Sequence, residues 1–123
     1  YHKFDNKNTI LLPCSGLAEL VEEGNEVEIN RYLENNLSGY KGVDNVVLGC
    51  THYPLIKNNI RKVLGDVKFF DGSVGVSKEL ARQLELKSIT FDKNNRTSFD
   101  FINTSSDPNK NIRFMELMNS SDN

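Results

Sequence analysis

Residues 45–55 read Asn-Val-Val-Leu-Gly-Cys-Thr-His-Tyr-Pro-Leu, and this stretch decides the fold. The run over 45–49 is β-branched and bounded by turn residues, which is typical of a buried strand. Pro54 stands where a helix begins and Gly65 stands just past its end, the usual asymmetry of helix termini. A strand that passes directly into a helix is the repeating unit of α/β folds with parallel sheets.

The same alternation of strand and helix patterns extends outward from this stretch in both directions. We predict strands over residues 9–13, 45–49, 67–70 and 98–102, and helices over 26–37, from Pro54 to 64, from Ser73 onward and from Asp107 onward. Ser73 is expected to cap the third helix. The order βαβαβαβα predicts an α/β fold with a largely parallel sheet. In such sheets, ligands bind beyond the carboxyl ends of the strands.

Composition excludes several classes of protein. The 123 residues hold 15 Lys+Arg and 17 Asp+Glu, a net charge of −2, so no basic surface for nucleic acid is expected. No apolar run approaches the ~18 residues of a membrane span, and we expect no signal peptide. Tyr1 stands where a primary translation product has Met, which suggests a processed or excised chain. Two cysteines without a C-x-x-C pair indicate a reducing, cytoplasmic compartment.

Cys50, Thr51 and His52 form the one segment that carries chemistry. A thiol at the carboxyl end of a strand and just ahead of a helix N-terminus lies where anions are favoured. The amides of Thr51, His52 and Tyr53 are expected to face the same space, free to bind a carboxylate. His52 could orient the thiol or exchange protons with a substrate. The alternative, a small core cysteine beside a capping histidine, stays open on spacing alone.

The segment 48–55, Leu-Gly-Cys-Thr-His-Tyr-Pro-Leu, resembles the second cysteine signature of glutamate racemases, in the aspartate/glutamate racemase superfamily. Pro13-Cys14, with Glu22 following in Leu-Val-Glu-Glu-Gly, is similar to an earlier segment of that family. Residues 69–73, Phe-Phe-Asp-Gly-Ser, resemble the family's Asp-Ser-Gly turn with the last two residues exchanged. Residues 97–109 are similar to its final strand and Asp-Pro helix start.

The resemblance implies the C-terminal half of a two-lobed enzyme that interconverts L- and D-glutamate for peptidoglycan with two cysteines and no cofactor. Residues 1–72 would belong to the lobe carrying the second catalytic cysteine, and 73–123 would complete the other lobe. Cys50 would be catalytic, and Thr51 and His52 would bind substrate. The partners implied are glutamate and the missing N-terminal half, with a homodimer left open.

The resemblance also implies roles for the remaining candidate residues. Cys14 falls at a non-catalytic cysteine, and Glu22 matches an acidic residue near the second cysteine, although a solvated helix-end acid is an equal alternative. Asp71 is expected to be a turn or cap residue, and His2 to be exposed. Without its first cysteine, the chain alone is expected to be inactive.

Neither a metal site nor a nucleotide site is predicted. Cys50 and His52 have no second ligand pair, and no Gly-rich phosphate loop follows a strand. Three other functions remain as alternatives: an aspartate racemase-type relative, a non-catalytic α/β module that binds a small anion or a protein, and a thiol redox protein. The last is weakened because Cys50 has no nearby resolving cysteine.

Overall fold

The chain forms five helices and two short strands in the part that the structure, a computed structural model, describes. The described residues are 8–89, 94, 98, 100, 102–104 and 106–120, without the side chains of 118 and 120. The elements are α1 (Leu17–Glu23), α2 (Glu26–Leu37), β1 (Asn45–Val47), α3 (Lys57–Leu64), β2 (Lys68–Phe70), α4 (Ser73–Leu86) and α5 (Asn109–Ser120), with 3₁₀ turns at Ser38–Tyr40 and Tyr53–Ile56.

The two strands run parallel, as the βαβ pattern predicted. Val46 lies opposite Phe69 and Val47 opposite Phe70. The connection between them is the 3₁₀ turn followed by α3, so the central βαβ unit is confirmed. The described residues therefore form a mixed α/β structure with a small parallel sheet.

One hydrophobic core holds the first three helices against the sheet. Its buried members are Leu17, Val21, Ile29, Leu33, Leu37, Leu48, Ile56, Ile60, Val63, Leu64 and Val67. The spacing of Ile29, Leu33 and Leu37 places them on one face of α2, as the helical period requires. Burial of each such side chain contributes about 1.5–3 kcal/mol before entropy is counted. This core fixes α1, α2 and α3 around the end of β1.

Four sequence predictions need correction. The strand predicted as buried over 45–49 ends at Val47, and Asn45 and Val47 in it are exposed. The predicted strand over 9–13 is wrong, because these residues lie in no strand or helix, and Ile10 and Leu11 are exposed. The α-helix predicted from Pro54 begins at Lys57, after a 3₁₀ turn that contains Pro54. Ser73 is the first residue of α4 and not its cap.

Other predictions hold or lie outside the described residues. The helix over 26–37 is confirmed, and Gly65 follows α3 with φ 91°, a backbone conformation that glycine adopts without strain. The last helix begins at Asn109, whose N–H donates to the Asp107 carboxylate. The strand over 98–102 includes residues outside the described set, as does the expectation for His2.

No helix among the described residues has the length and apolar character needed to cross a membrane.

Candidate active site

Cys50 lies just past the carboxyl end of β1, where the sequence predicted a ligand site. The Leu48 N–H donates to the Phe70 carbonyl over 2.8 Å, which anchors the end of β1 to β2. Leu48 is buried, and the chain then leaves the sheet through Gly49 to a half-buried Cys50. The Tyr53 N–H donates to the Cys50 carbonyl over 3.3 Å, closing a turn around Thr51 and His52. The thiol is thus held at the edge of the sheet with access to solvent.

Three side chains form a relay at this turn. The Cys50 Sγ lies 3.5 Å from His52 Nδ1, and His52 Nε2 lies 2.9 Å from Glu22 Oε1. The side chain of His52 is 29% exposed and that of Glu22 is 57% exposed. A small ligand could therefore reach the relay from solvent.

The contact with Glu22 favours one tautomer of His52. An ionised carboxylate only accepts hydrogen bonds, so we assign a proton to His52 Nε2, which donates it to Glu22. In the neutral ring, Nδ1 then carries a lone pair directed toward Cys50. The arrangement can accept a proton from the thiol and can stabilise the imidazolium that results.

Two tyrosine hydroxyls hold the loop before α1, that of Tyr53 from the Cys50 turn and that of Tyr32 from α2. The Tyr53 hydroxyl donates to the Cys14 carbonyl over 3.1 Å, and the Tyr32 hydroxyl donates to the Ser15 carbonyl over 2.9 Å. Burial, with nearby Cys14 and Cys50, raises the pKa of Tyr53, which keeps its phenol a donor. These bonds position α1, and hence Glu22, beside His52.

Tyr53 is the residue that the sequence reasoning missed. The sequence predicts only its amide as a ligand-binding group, yet that amide donates within the turn and its hydroxyl donates to the Cys14 carbonyl. Its neighbour Pro54 favours a turn or helix start, but no sequence signal indicates which distant carbonyl a hydroxyl will reach.

Cys14 has a different environment from Cys50. Its thiol donates weakly to the Leu12 carbonyl over 3.8 Å, and burial raises the pKa of the Cys14 thiol. Both effects favour the neutral thiol over the thiolate. Cys14 is therefore a poor candidate for a base or a nucleophile.

Thr51 and His52 present backbone amides at the mouth of the turn. Within the described residues these two amides meet no acceptor, whereas that of Tyr53 donates to Cys50. The expectation of three free amides is therefore corrected to two. Thr51 is exposed, so its hydroxyl is available to a ligand. Two N–H groups and a hydroxyl can bind one carboxylate.

Asp71 lies at the same edge of the sheet, just past the end of β2. Its carboxylate accepts from Lys57 Nζ over 2.7 Å, from the Ser73 N–H over 2.9 Å and from the Ser73 hydroxyl. These hydrogen bonds, that from Lys57 foremost, hold the pKa of Asp71 well below its usual range. Asp71 thus forms a turn that leads into α4, one of the two roles that the sequence predicted for it, and it is paired with the first residue of α3.

A cavity of about 320 Å³ lies elsewhere, between α5 and the first two helices. Its lining includes Val21, Ile29 and Arg113 and none of Cys50, Thr51 and His52. Among the described residues, no group of three or more His, Cys, Asp or Glu side chains is arranged to hold a metal ion.

Curated relatives of known name match most of the chain, whereas no protein-family model matches it. The glutamate racemase of Clostridium kluyveri (strain ATCC 8527) is 54% identical over 87 residues, 67% of this chain and 34% of that protein. That of Clostridium botulinum (strain Alaska E43) is 39% identical over 105 residues, 81% and 41% of the two chains. That of Clostridium acetobutylicum (strain ATCC 824) is 34% identical over 123 residues, 96% and 42% of the two.

The chain spans between about a third and two-fifths of the length of these relatives. The matches lie in the C-terminal part of the relatives.

Proposed function

Because the chain belongs to the glutamate racemase family, we propose that it is the C-terminal part of an enzyme that interconverts L- and D-glutamate. The observation that carries the proposal is the relay of Cys50, His52 and Glu22 at the end of β1. Residues 1–72 carry this half of the site, and 73–123 complete a second lobe with the N-terminal half of the enzyme. D-glutamate made in this way serves peptidoglycan synthesis.

Cys50 is the acid/base for one face of the substrate. His52 Nδ1 accepts the thiol proton, and the thiolate then takes the proton from the α-carbon of glutamate. The C–H bond breaks, its electron pair stays on the substrate as a carbanion, and sulfur carries the proton. A second thiol, supplied by the N-terminal half, protonates the opposite face. A thiolate that is held close to the substrate and shielded from water can remove the proton from so weakly acidic a C–H group.

The substrate carboxylate is bound by the turn that follows Cys50. The amides of Thr51 and His52 and the Thr51 hydroxyl stabilise the negative charge that spreads onto the carboxylate as the proton leaves. Glu22 stabilises the His52 imidazolium from the other side. Thr51 and His52 are therefore substrate-binding residues, and Glu22 is a positioning residue that acts through His52.

A fusion protein tests this proposal. The N-terminal part of the C. kluyveri racemase, up to its matched segment, is joined ahead of this chain, and circular dichroism follows the conversion of L-glutamate. We expect turnover of about 1 s⁻¹ or more, within the usual range for enzymes.

The two cysteines supply a matched pair of variants of the fusion. Cys50→Ser is expected to abolish racemisation, whereas Cys14→Ser is expected to retain it. Racemisation by Cys50→Ser within about tenfold of the parent, a barrier change of only ~1.4 kcal/mol, would remove Cys50 from the proposed role.

A further inference from the structure

Cys50, His52 and Glu22 are arranged as a nucleophile, a base and an acid that orients the base. The Cys50 Sγ lies 3.5 Å from His52 Nδ1, and the other ring nitrogen, Nε2, lies 2.9 Å from Glu22 Oε1. Enzymes that form covalent acyl intermediates activate a thiol or a hydroxyl with this arrangement. The relay can therefore do more than move a proton between a thiol and a carbon atom.

The turn after Cys50 supplies donors for the oxygen of an acyl group. The Tyr53 N–H donates to the Cys50 carbonyl, whereas among the described residues the amides of Thr51 and His52 meet no acceptor. Backbone N–H groups next to a nucleophile stabilise the negative oxygen that forms when a carbonyl carbon is attacked. The amides of Thr51 and His52, which follow Cys50 directly in the chain, are the candidates for this role.

A substrate can reach the thiol from solvent. Cys50 is half-buried, and the side chains of His52 and Glu22 are 29% and 57% exposed. At Gly49, which joins the end of β1 to Cys50, an added Cβ would meet no atom within 4 Å. An open site of this kind fits small acyl groups that are selected by the reactivity of their carbonyl carbon.

We propose that the 123-residue chain alone transfers acyl groups from small activated esters and thioesters to water. The proposal goes beyond the proposed function, since it needs the relay and neither a second thiol nor the N-terminal half. The reaction has two steps on Cys50, an acylation and a hydrolysis, and His52 moves the proton in both.

The acylation transfers the acyl group to sulfur. His52 Nδ1 takes the thiol proton, and the Cys50 Sγ attacks the carbonyl carbon. The bond from that carbon to the leaving oxygen or sulfur breaks with its electron pair, and the imidazolium gives its proton to the leaving atom. Glu22 orients the ring and stabilises the imidazolium through Nε2.

The hydrolysis restores the free thiol. His52 takes a proton from water, and the resulting hydroxide oxygen attacks the carbonyl carbon of the thioester. The C–S bond breaks with its electron pair on sulfur, and Cys50 recovers the proton from His52. The acyl group leaves as a carboxylic acid, so the enzyme is unchanged after each turnover.

Hydrolysis of p-nitrophenyl acetate by the 123-residue chain tests the proposal. The absorbance of p-nitrophenolate at pH 7 should show a burst of about one equivalent per chain and then continued turnover, with acetyl-Cys50 detected by peptide mass spectrometry. We expect Cys50→Ser to remove the burst and to lower turnover at least about tenfold. Cys14→Ser is the matched control and should keep both, since the Cys14 thiol lies outside the relay.

Variants of the other two relay residues separate the two steps. A cysteine is partly thiolate at pH 7 and strongly nucleophilic, so His52→Gln should still be acylated, although slowly. Its turnover should fall about a hundredfold or more, because no base activates water, and acetyl-Cys50 should accumulate. Glu22→Gln should lower kcat about fivefold with KM unchanged, since both steps slow alike, and Glu23→Gln should match the parent.

A chemical block covers failure of Cys50→Ser to fold. In the Cys14→Ser chain, iodoacetamide modifies the one remaining thiol after the protein has folded, and this treatment should also abolish turnover. The melting curve of each variant is compared with that of the parent.

The outcomes separate this proposal from the proposed function. Ester hydrolysis by the chain without racemisation by the fusion supports acyl transfer and contradicts the racemase activity, and the opposite pair of results contradicts acyl transfer alone. Turnover that survives alkylation of Cys50 overturns the proposal. So does turnover in His52→Gln equal to that of the parent, or acetyl-Cys50 that forms in the parent without turnover.

Discussion

Glu22 precedes His52 by 30 residues, yet its carboxylate lies 2.9 Å from His52 Nε2 and favours a proton on that ring nitrogen. The sequence alone is equally consistent with Glu22 as a solvated acid and with Glu22 as a site residue. The contact is made because α1 packs its buried Leu17 and Val21 into the core, which turns Glu22 toward the Cys50 turn. A residue's role in this site thus depends on the packing of a helix that the sequence did not clearly indicate.

Replacing Glu22 with Gln should slow alkylation of Cys50. Glutamine can still accept a hydrogen bond from His52 but cannot stabilise an imidazolium by charge. An exposed charge-assisted bond is worth about 1 kcal/mol, so the rate with iodoacetamide at pH 7 should fall about fivefold. The measurement is made in a Cys14→Ser background, which leaves one reactive thiol.

The neighbouring Glu23 provides the control for this experiment. It is exposed and makes no hydrogen bond or ion pair with the described residues, so Glu23→Gln should alkylate at the parent rate. Equal rates for Glu22→Gln and Glu23→Gln would contradict the role of Glu22.

Asp71 should give the chain a stability that depends on pH. Its pKa is lower in the folded than in the unfolded chain, so its contribution is present above the unfolded value near ~4 and is lost as the pH falls through the folded value. Asp71→Asn should therefore lower the melting temperature at pH 7 and 5, and the difference from the parent should shrink as the pH falls below ~4.

Asp66→Asn is the control for the Asp71 variant. Asp66 is exposed and has no ion-pair partner among the described residues, so its replacement should not reproduce this pattern. A difference for Asp71→Asn that stays constant from pH 7 to pH 3 would contradict the ion pair with Lys57.

Among the elements, the sequence predicts the central βαβ unit and the helices with a clear apolar period, but it misplaces one strand and does not predict α1. Helix α2 followed from its apolar period, and the end of α3 from Gly65. The run over 9–13 has strand composition, but strand formation needs a neighbouring strand, and the described residues supply none there. Helix α1 has only seven residues between two glycines, too few for a clear period.

The two glycines that bound α1 make a matched comparison. Gly16 and Gly24 both have positive φ, 82° and 67°, so alanine at either position costs about 1–2 kcal/mol of backbone strain. A Cβ at Gly24 would overlap the Arg113 guanidinium on α5, whereas a Cβ at Gly16 meets nothing within 4 Å. Gly24→Ala should therefore also displace the Arg113 side chain.

Hydrogen exchange measures this displacement. Amides of α5 should exchange several-fold faster in Gly24→Ala than in Gly16→Ala, because the arginine that packs α5 against the end of α1 must move. Equal exchange in the two variants would show that Arg113 does not hold α5 in place.

For the whole molecule, a two-thiol mechanism implies an asymmetry between enantiomers. In the fusion carrying Cys50→Ser, the surviving thiol still serves one face of the α-carbon, while a serine hydroxyl is too weak an acid to replace Cys50. One enantiomer of glutamate should therefore exchange its α-proton with D₂O, slowly, and the other should not. Proton NMR on each enantiomer separately decides this, and equal exchange of both would contradict a one-face role for Cys50.

All the buried apolar side chains among the described residues lie between positions 17 and 67, and none lies in α4. A mutational scan of cellular abundance would accordingly give different results for the core positions between 17 and 67 and for the positions of α4. Substitutions at positions such as Leu33 or Ile60 would lower the amount of protein, because they empty the core and expose the chain to proteases. Substitutions along α4 would leave the yield of the isolated chain unchanged. They would be detected only in a selection that requires assembly.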